Sequence, residues 1–224
     1  MAKQGFHGAL RYPLTFILGS EARVKVLREL FRHGRELSVQ QLVMRTGLAQ
    51  SSVRESLIVL GQTMIVDTLG NRKSRLYRVN HMHAMYKPVD TLFEAEEQRY
   101  DAIIAAIKAA VPDEDRFHFH ALWLFGSVTQ DMDTFMSDVD LAIVADQNKL
   151  GDVLDRLRRS MRSLDEKYLI RTSLIGLTIE DLTRLRREND PFLRNALGDA
   201  IPLFGHGPDD LLGSIDRSDR ESDQ

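Results

Sequence analysis

Gly126-Ser127, followed after a gap of ten residues by Asp138-Val139-Asp140, is the combination of residue types in this chain with the clearest capacity for chemistry. On an extended strand alternate side chains share a face, so Asp138 and Asp140 point the same way while Val139 turns into the core. Two carboxylates that close are costly to keep charged unless a divalent cation offsets them. Mg²⁺ or Mn²⁺ meets that need, because such ions take one or two carboxylates together with phosphate oxygens and water. Gly126 lets the backbone approach a phosphate, and Ser127 offers a hydroxyl and an amide at an expected helix start. The spacing therefore points to metal ligation at Asp138 and Asp140 and to nucleotide binding at Gly126 and Ser127. Either aspartate alone would read as an ordinary strand-end or capping residue; the combination carries the signal.

For these residues to meet, the apolar runs Ala121–Phe125, just before Gly126, and Leu141–Val144, just after Asp140, must be strands. This Gly-Ser, ten-residue gap, Asp-x-Asp string resembles the signature of the DNA polymerase beta-like nucleotidyltransferase superfamily, particularly its minimal members, over roughly residues 100 to 205. The resemblance implies a mixed sheet with helices. It also implies a pair of divalent metals held by catalytic Asp138 and Asp140, triphosphate contact at Gly126 and Ser127, and a nucleoside triphosphate as substrate or ligand. The activity implied is transfer of a nucleoside monophosphate to a hydroxyl on RNA, a partner protein or a small molecule.

Enzymes of that family carry a third carboxylate on the next strand. Here the corresponding strand is expected over Tyr168–Leu177, which contains no Asp or Glu, and Arg171 or Ser173 stands at the third position. Asp165 and Glu166 precede it, and Glu180 and Asp181 fall in the first turn of a Thr178-capped helix. Asp131 and Asp133 lie in the loop before Asp138 and are expected to be solvated. Asn189 to Leu193 leads into a short helix, similar to a segment of nucleotidyltransferases fused to winged helices. The alternative to an enzyme is a transcriptional regulator whose nucleotidyltransferase domain is a degenerate nucleotide sensor or a dimerisation module.

The charge balance divides the chain. Residues 1–90 hold 14 Lys and Arg against 6 Asp and Glu, a net +8, and residues 91–224 hold 16 against 27, a net −11; together they give the overall −3. A basic half is drawn to a polyanion such as DNA. Within it, Ser20 caps an apolar helix that ends at Gly34, Ser38 caps a second that ends at Gly47, and Ala49 to Ser52 open a third that ends at Gly61. Strands are expected over Met64–Thr68 and Arg75–Val79, joined by a turn containing Gly70-Asn71. Three helices and a basic hairpin in this order resemble the winged helix-turn-helix DNA-binding domains of bacterial regulators of the ArsR and MarR type, over roughly residues 14 to 80. The resemblance implies double-stranded DNA as partner. Gln50, Ser51, Ser52 and Arg54 would then face base edges, and Arg72, Lys73 and Arg75, with Arg78, would meet flanking phosphates.

The expected architecture is α+β, with a winged-helix domain at 1–87, a linker helix at 88–112, a nucleotidyltransferase-like domain at 113–212 and a disordered tail at 213–224. Apolar positions from Val89 through Leu92, Phe93, Tyr100, Ile103, Ile104, Ile107 and Val111 recur at helical spacing and stop at Pro112. Such a helix either packs on its own chain or pairs two copies into a homodimer. His81-x-His83 and His118-x-His120 have metal-pair spacing but are expected to be strand or surface histidines. The absence of Cys excludes disulfide scaffolds and thiolate chemistry and fits a cytoplasmic location, and no apolar run is long enough to span a membrane.

Overall fold

The computed structural model describes residues 8–71, 74–111, 118–134 and 136–213, and the α+β chain divides into two compact units, Met1–Gln98 and Arg99–Gln224. In the first, a short helix α1 (Leu14–Ile17), which the apolar pattern did not single out, precedes α2 (Glu21–His33). Ser20 accepts the Arg23 amide at the start of α2, and Gly34, at φ 66°, closes its end in the left-handed conformation that a Cβ would oppose. Helix α3 (Val39–Thr46) begins with a capping box between Ser38 and Gln41 and ends at Gly47, also at φ 66°. Helix α4 (Gln50–Gln62) follows after the turn at Gly47 to Ala49. Caps supplied by the chain's own letters thus set the boundaries of α2 and α3, whereas Ala49 makes no side-chain cap at the start of α4.

The hairpin strands are β1 (Val66–Leu69) and β2 (Leu76–Val79), antiparallel with Val66 opposite Val79. β1 starts later than the expected Met64 because Met64, at φ 60°, donates its amide back to Gly61 and completes the exit from α4. Ile17, Leu27, Leu30, Leu42, Val53, Leu60 and Ile65 form the buried centre of this unit. Arg72 and Lys73 lie outside the described residues.

Helix α5 (Tyr86–Ala109) contains the boundary between the units. Its first part belongs to the first core: Val89 is buried, and Phe31 lies 5.3 Å from Tyr86 and 5.4 Å from Phe93, centroid to centroid. Arg28 and Arg32 of α2 pair with Glu96 and Glu97. Ile103 and Ile107, later in the helix, are buried in the second unit's core. The stop expected at Pro112 lies outside the described residues.

The second unit contains β3 (Phe119–Phe125), β4 (Val139–Ala145), α6 (Leu150–Tyr168), β5 (Thr172–Leu177), α7 (Ile179–Arg187), α8 (Pro191–Asn195) and β6 (Ile201–Gly205). The sheet order is β5-β4-β3-β6, with β4 and β5 parallel and the other neighbours antiparallel. One face of the sheet, through Leu122, Leu124, Leu141 and Ile143, packs on Val153, Leu157 and Met161 of α6. The other, through Trp123, Ala142 and Val144, packs on Leu182 and Leu197, and the buried Trp123 indole donates to the His206 carbonyl at 2.7 Å. Residues 208–213 are helical, so Gly213 is not part of a tail, and 214–224 lie outside the described residues. Among the described residues no helix is long and apolar enough to cross a membrane.

Candidate functional site

Antiparallel pairing of β3 with β4 sets Phe125 opposite Asp140, so the Gly-Ser end of one strand meets the Asp-x-Asp end of the other. Gly126 is at φ 79°, and a Cβ built on it would fall 2.6 Å from Asp140 Oδ2. Only glycine fits this place without displacing the carboxylate. The segment Gly126–Val128 forms a single 3₁₀ turn rather than the expected start of a helix. Its carbonyls are taken up locally: Gly126 O accepts Thr129 Oγ1 at 2.8 Å, and Ser127 O accepts the Met132 amide at 2.9 Å. Ser127, in the middle of this turn, is half-buried.

Asp138 lies immediately before β4 and is exposed, Val139 packs on the core, and Asp140 is half-buried. The Asp140 carboxyl titrates above the usual carboxylate range, chiefly because burial disfavours its charge and also because Asp138 is close; a hydrogen bond from Ser173 opposes the shift. Parallel pairing sets Ser173 beside Asp140 and Thr172 beside Val139. Arg171 precedes β5, and its Nε lies 3.0 Å from Asp138 Oδ1 while its Nη2 donates to the Met136 carbonyl. Ser173 and Arg171, the two residues expected at the third position, therefore both reach the aspartate pair.

Two of the other carboxylates that the sequence offers are engaged within the fold. Asp165 Oδ2 accepts Thr172 Oγ1 at 3.2 Å, on the Val139 side of the sheet, and Asp181 closes the capping box with Thr178 at the start of α7. Glu180, Asp131 and Asp133 are exposed. Residues 168–171 are not strand as expected: α6 runs to Tyr168, Leu169 turns the chain at φ 53°, and β5 starts at Thr172. Among the described residues no group of three or more His, Cys, Asp or Glu side chains is placed to hold a metal ion. Asp138 and Asp140 share the site with the Arg171 guanidinium, which is paired with Asp138.

In the first unit, Gln50, Ser51 and Arg54 are exposed on the opening turns of α4 and Ser52 is half-buried. Arg75 is exposed at the foot of β2, and among the described residues neither it nor Arg54 has an ion-pair partner. Arg78 differs: it lies 3.6 Å from Asp67, its cross-strand neighbour, and 3.8 Å from Glu36.

One cluster escaped sequence reasoning. Asp146, just after β4, receives His118 Nδ1 at 2.7 Å and His120 Nε2 at 2.8 Å. Its carboxyl is held below the usual range, first by the hydrogen bond with His118 and then by that with His120. The available signal was that antiparallel pairing brings the end of one strand to the start of the other, as Ala145 opposite Phe119 does. The His81 ring packs on Tyr86 at 4.6 Å, and His83 Nδ1 accepts the Met85 amide. Compared with known protein families and with curated proteins, the sequence matches none.

Proposed function

We propose that the chain is a DNA-binding regulator whose first unit acts as a winged helix-turn-helix and whose second is a minimal nucleotidyltransferase-type domain that binds a nucleotide without transferring it. The observation that carries this reading is the pairing around the aspartates: Arg171 holds Asp138 and Ser173 stands beside Asp140, where the family's enzymes have a carboxylate. Gly126, which lets the strand end lie against the Asp140 carboxylate where a Cβ would fall 2.6 Å from Oδ2, supports a compact site in which a metal-borne phosphate is held by the aspartate pair.

The DNA half of the proposal is supported by the exposed polar turn at Gln50, Ser51 and Arg54 and by the exposed Arg75, which has no ion-pair partner among the described residues. Recognition by such a unit reads base edges with the first turn of a helix and neutralises phosphates with the hairpin. Arg72 and Lys73 belong to the same basic hairpin sequence. A second copy of the chain would bring two reading helices to half-sites about one DNA turn apart.

A second reading, transfer of a nucleoside monophosphate to a hydroxyl acceptor, is favoured by the shared site of Asp138 and Asp140. In that reading the two carboxylates hold Mg²⁺ or Mn²⁺, which neutralises phosphate charge. The test of the main reading is duplex binding by fluorescence anisotropy with and without each ribonucleoside triphosphate. A nucleotide that shifts DNA affinity without being consumed supports it; a nucleotide that is consumed, with release of pyrophosphate, favours the transferase.

A further inference from the structure

Arg171 occupies a chemically specific place, and this inference rests on the nucleotide reading above. Its carbonyl accepts the Val139 amide at 2.7 Å, which fixes the backbone of Arg171 beside the Asp-x-Asp segment. Its guanidinium reaches Asp138 through Nε and the Met136 carbonyl through Nη2, so the loop before β4 and the approach to β5 are tied at one cation. A guanidinium has five N–H donors in a planar fork, and those not directed at Asp138 and Met136 remain for a ligand. The charge at the site is accordingly two carboxylates and one permanent cation, with Ser173 in the place of a third carboxylate.

A triphosphate brings its own negative charge and needs positive centres on its oxygens. Asp138 and Asp140 with phosphate oxygens can hold one divalent ion, since Mg²⁺ and Mn²⁺ bind by one or two carboxylates plus phosphates. Among the described residues no third His, Cys, Asp or Glu groups with Asp138 and Asp140 to hold a metal, and the charged side chain beside them is Arg171. The exposed Arg171–Asp138 pair is itself weak, so a phosphate oxygen can take over guanidinium donors at little cost. We infer that Arg171 replaces one of the two divalent ions of a two-metal site: the second unit holds a nucleoside triphosphate with a single divalent ion, and the Arg171 guanidinium is the other positive centre on the phosphates.

The test is equilibrium dialysis of the full chain against Mn²⁺ and each of the four ribonucleoside triphosphates in turn, counting bound Mn²⁺ by electron paramagnetic resonance and bound nucleotide by radiolabel. The inference expects one Mn²⁺ per bound nucleotide. It also expects Arg171→Ala to weaken nucleotide retention by about tenfold or more, and Arg171→Lys to restore part of it. Circular dichroism of both variants distinguishes removal of a phosphate ligand from failure to fold. Any ratio other than one, or undiminished retention by Arg171→Ala, overturns the inference while the nucleotide reading stands. Failure of the native chain to retain any of the four nucleotides overturns the nucleotide reading itself.

Discussion

Ser173 stands directly beside Asp140 on the neighbouring parallel strand and hydrogen-bonds its carboxylate. The bond favours the charged form, yet burial and the charge of Asp138 outweigh it and raise the Asp140 pKa. In the folded state this carboxyl therefore keeps its proton to higher pH than in the unfolded chain. Stability should fall as pH rises from the ordinary carboxylate range through the raised value, and the penalty then persists. Asp140→Asn is expected to raise the melting temperature at neutral pH and to flatten its pH dependence across that window. A variant less stable than the native chain at neutral pH would contradict this.

Gly126 makes a second, steric prediction about the same carboxylate. Its φ of 79° and the 2.6 Å approach of an added Cβ to Asp140 Oδ2 both oppose a side chain. Gly126→Ala is expected to cost at least about 1 to 2 kcal/mol from the backbone conformation alone. Denaturant unfolding measures the cost, and nucleotide retention should fall with it because the carboxylate must move.

Asp146 behaves in the opposite sense to Asp140. Its pKa is depressed by hydrogen bonds from His118 and His120, so its contribution to stability is present above the unfolded carboxylate's pKa and is lost as pH falls through the lower, folded value. Asp146→Asn should destabilise the second unit near neutral pH and reduce its loss of stability on acidification. Thermal melts of the two proteins from pH 7 downward should therefore converge. Parallel curves would show that the histidine pair does not depend on the charge.

For the first unit, Arg54→Ala with Arg75→Ala should weaken binding to duplexes of any sequence and reduce the slope of log affinity against log salt by about one for each phosphate that is no longer neutralised. Gln50→Ala should instead cost about 1 to 3 kcal/mol on the preferred site alone, because a glutamine reading adenine carries sequence information. Anisotropy titrations on specific and random duplexes at several salt concentrations separate the two effects. An unchanged slope in the double arginine variant would remove these residues from the interface.

The parts of this structure legible in the sequence are those with local causes. Ser20 and Gly34, and Ser38 and Gly47, mark their helices because a cap is made within one turn of chain. Gly126-Ser127 and Asp138-Val139-Asp140 were legible because each sits at the end of an apolar strand, and pairing of those strands brings them together. The start of β5 was not, since Tyr168 to Arg171 suit helix and strand equally until α6 claims the first of them. Nor was the ion pair of Arg171 with Asp138, or the clasp of His118 and His120 on Asp146, because side chains far apart in sequence meet only through sheet register. The 3₁₀ turn after Gly126 also lacks an α-helical signature that letters could show.

The central claim is that the second unit holds a nucleotide and does not transfer it. The most direct measurement incubates the native chain and an Asp138→Asn, Asp140→Asn variant with each α-phosphate-labelled ribonucleoside triphosphate, Mg²⁺ or Mn²⁺, and host lysate. The account predicts label that the native chain retains reversibly and that denaturation releases, with no covalent product. Covalent label on RNA, protein or a small molecule, formed by the native chain and absent with the variant, would contradict it and establish a transferase.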